Sequence, residues 1–299
     1  MDRSHTKKLF SGTGVALVTP FGKDGKIDFP ALSRIIDHTI QGGVQYLVVL
    51  GTTGEPATLD KEEKIKVFEY IAHYCPSHIP LVAGIGGNNT QELIDQLKNF
   101  PLRNYKAILS VSPYYNKPSQ EGIYQHYHAL SEHSPLPIIL YNVPGRTGST
   151  LEARTTLQLA EKCPNIIGIK EASGSFDIFS KILKHRPKDF LVISGDDSLA
   201  LPMISIGADG LISVLANSNP QEIASMVDKG LKGDYIAAAH IHHRISDLIP
   251  LLFKESNPTG VKAILKELSI AEDWVRLPLV IASEDLRKEI AIQLKSLSV

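Results

Sequence analysis

A lysine placed where water does not reach is a candidate nucleophile. Lys170 follows Ile166, Ile167, Gly168 and Ile169 with no polar break. Stripping water from an ammonium group lowers its pKa, and the neutral amine is the form that adds to a carbonyl and makes an imine. Two other readings stand beside this one: the side chain reaches back to solvent, or it pairs with Glu171 or another acid. Tyr141 carries a phenol that can donate and accept a proton, or it is an aromatic cap on a core. Thr52 and Thr53, set between Gly51 and Gly54, present hydroxyl and backbone N–H groups to a carboxylate, or they form a tight turn. Arg146, in the run Gly145-Arg146-Thr147-Gly148, can grip a second carboxylate with two parallel N–H bonds, or it is a solvated loop residue.

Such residues act together only if a scaffold gathers them. Short apolar runs begin near Gly14, Tyr46, Pro80, Ala107, Pro137, Ile166, Phe190 and Gly210. They are too short for helices and do not alternate with polar residues, which points to strands buried on both faces of a parallel sheet. Helical patterns lie between them. Asp28 caps one that carries Leu32, Ile35, Ile36 and Ile40 and ends at Gly42-Gly43. Asp60 and Glu63 form a capping-box pattern before Ile65, Phe68 and Ala72. Asn219, Pro220 and Glu222 open another, with Ile223, Met226 and Val227 inward. Eight strand–helix units predict an α/β fold, a closed (β/α)8 TIM barrel over residues 1–233, with an open doubly wound sheet as the alternative. Residues 234–299 predict a C-terminal helical extension, with helices near 234–253, 258–268 and 283–297 and breaks at Pro258 and Pro278.

Enzymes on this barrel use the C-terminal ends of the strands. Read that way, the second run ends in Gly51-Thr52-Thr53-Gly54-Glu55 and the fourth in Ser112-Pro113-Tyr114-Tyr115-Asn116. The fifth ends in Tyr141-Asn142-Val143-Pro144, the sixth in Lys170-Glu171, the seventh in Ser194-Gly195-Asp196-Asp197, and the eighth contains Ile212-Ser213.

Composition narrows the field. Of the 299 residues, 43% are apolar and 21% charged, with a net charge of −1; a large core is feasible, and no basic block suits nucleic acid. No run reaches the roughly 18 apolar residues of a membrane helix, and the start of the chain lacks an apolar leader, so the expectation is no membrane partner and a cytoplasmic enzyme. Cys75 and Cys163 read as two buried thiols in a reducing compartment. Gly84-Ile85-Gly86-Gly87 lacks the full dinucleotide fingerprint. Asp196 and Asp197 would repel a phosphate. His240, His242 and His243 show no zinc spacing, and the charged stretch 60–66 reads as a solvated helix face. No metal is expected.

Four motifs taken together carry a resemblance: Gly51-Thr-Thr-Gly-Glu, Pro113-Tyr-Tyr-Asn, Tyr141-Asn-Val-Pro-Gly-Arg-Thr-Gly and Ile169-Lys-Glu-Ala. In that order, and over residues 10 to 278, the chain resembles the dihydrodipicolinate synthase family, within the pyruvate-aldolase superfamily that includes N-acetylneuraminate lyase. The resemblance implies a class I aldolase-type lyase. Pyruvate and L-aspartate 4-semialdehyde would condense to 4-hydroxy-tetrahydrodipicolinate, the first committed step of diaminopimelate and lysine biosynthesis. It implies Lys170 as the imine-forming lysine, Tyr141 as the proton-relay tyrosine and Thr53 as its hydrogen-bonded neighbour. Tyr115 would enter from an adjacent subunit. Thr52 and Thr53 would take pyruvate's carboxylate, Arg146 that of the aldehyde, and the backbones of Gly195 and Ile212 would line the pocket. It also implies a homotetramer built as a dimer of dimers, and no cofactor beyond the covalent imine on Lys170.

Some relatives bind lysine as a feedback inhibitor. Here Asn88, Glu92 and Tyr114 occupy matching positions, but Pro56, Lys61 and Lys64 stand where those relatives often carry a serine and two histidines. Added ammonium groups repel a cationic ligand, so weak or absent inhibition is expected. The competing reading within the superfamily is an N-acetylneuraminate lyase-like or keto-sugar-acid aldolase; Arg146 favours an aldehyde that carries a carboxylate. A non-catalytic keto-acid sensor would keep the pocket without the chemistry. An unrelated phosphate-binding barrel enzyme is disfavoured by Asp196 and Asp197.

Overall fold

The computed structural model describes residues 3–297; residues 1–2 and 298–299, the outer ends of the expected 1–233 and 234–299 division, lie outside the described residues. Eight parallel strands close into a barrel in sequence order, with the last paired to the first. They are β1 (Gly12–Ala16), β2 (Tyr46–Val49), β3 (Leu81–Gly84), β4 (Ala107–Val111), β5 (Ile138–Asn142), β6 (Ile166–Glu171), β7 (Leu191–Ser194) and β8 (Gly210–Ser213). Closure excludes the open doubly wound sheet. Nearly every strand residue is buried, as expected when one face fills the barrel and the other packs under helices.

The helices are α1 (Arg3–Phe10), α2 (Phe29–Gln41), α3 (Lys61–Tyr74), α4 (Thr90–Asn99), α5 (Gln120–His133), the single turn α6 (Pro144–Thr147), α7 (Ala153–Lys162), α8 (Phe176–His185), α9 (Ala200–Ser205), α10 (Pro220–Leu231), α11 (Tyr235–Ile245), α12 (Thr259–Glu267) and α13 (Glu284–Leu297). Their starts follow from capping, because the first N–H groups of a helix need an acceptor. Asp28 accepts from the Ala31 amide, and Asp60 and Glu63 cap each other's backbone in both directions. Asn219 occupies the N-cap of α10, but its side-chain oxygen accepts from Ser218 instead of the helix.

Two elements depart from the sequence reading. The polar N-terminal stretch folds as α1. Its Phe10 plugs the barrel floor edge-on against Tyr46, with ring centroids 5.4 Å apart. The expected helical segment 234–253 divides into α11 and a short 3-10 turn at Pro250–Leu252, since Pro250 has no N–H for a continuing α-helix. One continuous apolar core runs from the barrel into α11, α12 and α13. Cys75 and Cys163 cap the C-termini of α3 and α7 as buried free thiols, and burial pushes the Cys75 thiol up to about 11. Among the described residues, no helix is long and apolar enough to cross a membrane. No cluster of three or more His, Cys, Asp or Glu side chains that could hold a metal ion occurs among them either.

Candidate active site

Three neighbouring strands place the central residues. Tyr141 on β5 lies opposite Lys170 on β6, which lies opposite Ile193 on β7. Lys170 is 4% exposed, and its Nζ stands 4.3 Å from the centroid of the Tyr141 ring. Successive strand residues face opposite sides, so Glu171 turns outward. There its carboxylate accepts from Asn142 Nδ2 at 2.8 Å and from the Ser173 amide at 2.7 Å. Burial raises the Glu171 pKa against those hydrogen bonds, which lower it. Lys170 neither reaches solvent nor pairs with Glu171, and it forms no ion pair among the described residues.

The surroundings are shaped to this lysine. A Cβ on Gly195 would lie 2.9 Å from Lys170 Cε and 2.6 Å from Ala172 Cβ, so the aliphatic stem needs a residue without a side chain there. Ile212 on β8 is fully buried in the barrel interior. Beyond it, Asp197 accepts from Ser213 Oγ and from the Val214 amide, at 3.0 Å for the latter. Burial raises the Asp197 pKa, with the Ser213 bond opposing. The second strand-seven acid, Asp196, accepts from Ser198. Both acids therefore tie down the turns after β7 and β8.

The barrel opens beside the Tyr141 ring. A cavity of about 80 Å³ is bordered by Thr52, Lys64, Gly86, Val111 and Tyr141. It adjoins a larger one of about 420 Å³, bordered by Thr52, Glu55, Lys64, Tyr114, Arg146 and Asn257. Arg146 sits on α6 with no ion pair among the described residues. Its loop is fixed from behind, where Asn142 Oδ1 accepts from the Leu151 amide at 2.9 Å. Thr52 borders both cavities. Thr53 is buried, and its hydroxyl accepts from Asn257 Nδ2 at 3.0 Å. Tyr115 borders neither cavity. It projects with 89% of its surface exposed, on a backbone with φ of 71°, a conformation that costs a bulky residue energy.

The residues named for a lysine site divide between cavities. Lys61, Lys64 and Glu92 share one of about 270 Å³ with Asp95 and Gln96. Pro56 and Tyr114 border the cavity of about 420 Å³ with Lys64, and Asn88 Nδ2 donates to the Tyr114 carbonyl at 3.1 Å. The stretch 60–66 is thus more than a solvated face. Glu63 takes two bonds from Arg276, and Lys64 borders three cavities. Asn257, Lys262 and Arg276 were not singled out in the sequence, and Glu55 was quoted only as part of a motif. A signal existed for Lys262: it interrupts the run Gly260-Val261-Lys262-Ala263-Ile264-Leu265 much as Lys170 ends an apolar one.

The sequence pattern of the dihydrodipicolinate synthetase family matches residues 9–297. The chain belongs to this family. A 4-hydroxy-tetrahydrodipicolinate synthase of Flavobacterium psychrophilum is 50% identical over 291 residues, covering 97% of this chain and 99% of that protein. Among solved structures of the family, a dihydrodipicolinate synthase of Acinetobacter baumannii complexed with pyruvate superposes with a TM-score of 0.93. It is 40% identical, covering 97% of this chain and 99% of that one. The enzyme of Cyanidioschyzon merolae with lysine bound also gives 0.93, at 36% identity and with coverage of 97% and 99%. Membership in the dihydrodipicolinate synthetase family accords with the closed barrel and with the helices that follow it.

Proposed function

We propose that this chain is a lyase that condenses pyruvate with L-aspartate 4-semialdehyde to 4-hydroxy-tetrahydrodipicolinate, on the route to diaminopimelate and lysine. The observation that carries the reading is Lys170, a buried amine without an acid partner, set against the Tyr141 ring, which itself borders a cavity. The amine adds to the C2 carbonyl of pyruvate. A proton carrier turns the oxygen into leaving water, and a protonated imine remains. Loss of a C3 proton gives an enamine, whose carbon attacks the aldehyde. The aldehyde oxygen takes a proton as the C–C bond forms. The α-amine of the second substrate then displaces Lys170 and closes the ring. The protonated imine is the electron sink, so the reaction requires no separate cofactor.

Thr52 and Thr53 hold pyruvate's carboxylate, and Arg146 holds that of the aldehyde at the cavity mouth. For the hydroxyl beside Tyr141 the geometry favours Thr52, which borders the same cavity, over Thr53, whose hydroxyl serves Asn257. Gly195 and the Ile212 backbone bound the pocket around the lysine stem. Tyr115 completes the relay in a neighbouring subunit. Its exposed ring supports that role, and with it an assembly in which dimers pair into a homotetramer. The barrel, 1–233, supplies the chemistry, and the extension, 234–299, lends Asn257, Pro258, Pro278 and Leu279 to the border of the larger cavity. The enzyme works in the cytoplasm.

Steady-state kinetics with pyruvate test the reading. Aspartate semialdehyde is expected to exceed N-acetylmannosamine and glyceraldehyde by at least a hundredfold in kcat/KM. Preference for either sugar aldehyde would move the chain to the sugar-acid aldolases, and absence of any turnover would favour the sensor. Lysine inhibits weakly or not at all, because Lys61 and Lys64 repel it; potent inhibition below millimolar lysine in the same assay would refute that.

A further inference from the structure

The turn that carries Thr52 and Thr53 is held from an unexpected direction. It consists of two 3-10 turns, Thr52–Gly54 and Pro56–Thr58, joined at Glu55. Glu55 has φ of 52° and ψ of 43°, a left-handed conformation that a residue with a side chain holds only when its surroundings enforce it. The enforcement comes from the helical extension. Lys262 on α12 donates to Glu55 Oε1 at 2.5 Å, with the two side chains 1% and 2% exposed. The Arg276 amide donates to Glu55 Oε2 at 3.3 Å. Lys262 is itself oriented by the Trp274 carbonyl at 2.9 Å and by the face of Phe21, 4.2 Å from the ring centroid. The Arg276 guanidinium locks the outer part of the turn, donating to the Thr58 carbonyl at 2.8 Å and to both oxygens of Glu63. Asn257 adds its bond to Thr53.

Charge gives the arrangement a second consequence. Glu55 borders the cavity that also holds Thr52 and Arg146. A carboxylate there opposes an incoming carboxylate unless a cation compensates it, and at low dielectric the opposition is strong. Lys262 is that cation. We propose that Lys262 and Glu55 are positioning residues for pyruvate: their buried ion pair fixes the Thr52–Thr53 turn and cancels the charge that would repel the substrate's carboxylate. The extension is therefore part of the binding site, through contacts that never touch substrate. This inference rests on the assignment of Thr52 and Thr53 to pyruvate's carboxylate.

The test compares wild type, Lys262→Met and the double variant Glu55→Gln/Lys262→Met. Lys262→Met leaves an uncompensated carboxylate and is expected to raise the pyruvate KM tenfold or more, with kcat within threefold. The double variant removes both charges, and its KM is expected to return to within threefold of wild type. A Lys262→Met protein with unchanged pyruvate KM, a parallel loss in kcat alone, or a double variant no better than the single one would overturn the proposal. If Lys262→Met does not accumulate as folded protein, the double variant decides: a KM within threefold of wild type supports the pair, and a rise above tenfold refutes it. Borohydride trapping of pyruvate on wild-type Lys170 runs alongside. Its absence would refute the catalytic reading, whereas trapping with an unmoved Lys262→Met KM would refute only the role of the pair.

Discussion

Two lysines are buried among the described residues, and they live in opposite surroundings. Lys170 and Lys262 are 4% and 1% exposed, and their ammonium groups stand 4.3 and 4.2 Å from an aromatic ring. Each lies in an apolar stretch of sequence. The difference is the acid. Lys262 has Glu55 on it, with the Trp274 carbonyl as a second acceptor. Lys170 has a carboxylate one residue away, Glu171, which the strand pleat turns to the other face and which Asn142 and Ser173 occupy there. A buried lysine with a partner is structure; a buried lysine denied one, against a ring that borders a cavity, is the candidate for chemistry. Burial alone does not tell the two apart.

The comparison is open to direct attack, beginning where the effect is largest. Lys170→Ala should abolish borohydride trapping of pyruvate altogether while leaving the thermal unfolding midpoint at or above that of the wild type, because no buried partner is orphaned; residual trapping on another lysine would break the distinction. Tyr141→Phe keeps the ring beneath the ammonium group but removes the phenol. Turnover should fall about 10²- to 10⁴-fold, the usual worth of a positioned proton carrier, with trapping slowed and not lost. Lys262→Met should cost about 3 to 5 kcal/mol in urea unfolding, the typical penalty for leaving one charge of a buried pair alone. Lys170→Met should stay within about 1 kcal/mol of wild type in the same measurement.

A smaller effect extends the comparison to a third buried base. His126, on α5 and facing the start of α4, is 6% exposed, and its Nδ1 meets Thr90 Oγ1 at 2.8 Å. With no acid against it, burial lowers its pKa to about 4. The unfolded chain takes up a proton near the ordinary value of 6.5 that the folded one refuses until about pH 4. This contribution to stability is whole above pH 6.5 and shrinks as pH falls towards 4, by about 2 kcal/mol between pH 7 and pH 5. Urea unfolding at both pH values should show that loss in the wild type and a reduced loss in His126→Gln.

The legibility of these features follows from their range along the chain. The strands were readable because each is a continuous apolar run whose burial on two faces leaves no room for polar residues. Lys170, Tyr141, Thr52 and Arg146 could be picked out as candidates because they stand at or just after strand ends, which a barrel brings together whatever the intervening helices are. α1 was not, since a single Phe10 after a polar stretch has no periodicity, and its value appears only once Tyr46 is opposite. The 3-10 break at Pro250 was passed over because apolar spacing continues through it. The clamp on Glu55 was beyond reach for another reason: the positions of Glu55, Lys262 and Arg276 in sequence give no measure of their distance in space.

That separation also has a temporal meaning. Glu55 and its cation lie 207 residues apart, so at ordinary rates of translation the carboxylate leaves the ribosome on the order of 10 to 40 seconds before Lys262 is made. Through that interval synthesis of the eight strands is completed, while the turn at Glu55 keeps its local bonds and the Thr19 contact but lacks those from Asn257, Lys262 and Arg276. The order of synthesis thus puts the eight strands first and the residues that clamp this turn last, with the part of the apolar core that α12 and α13 supply.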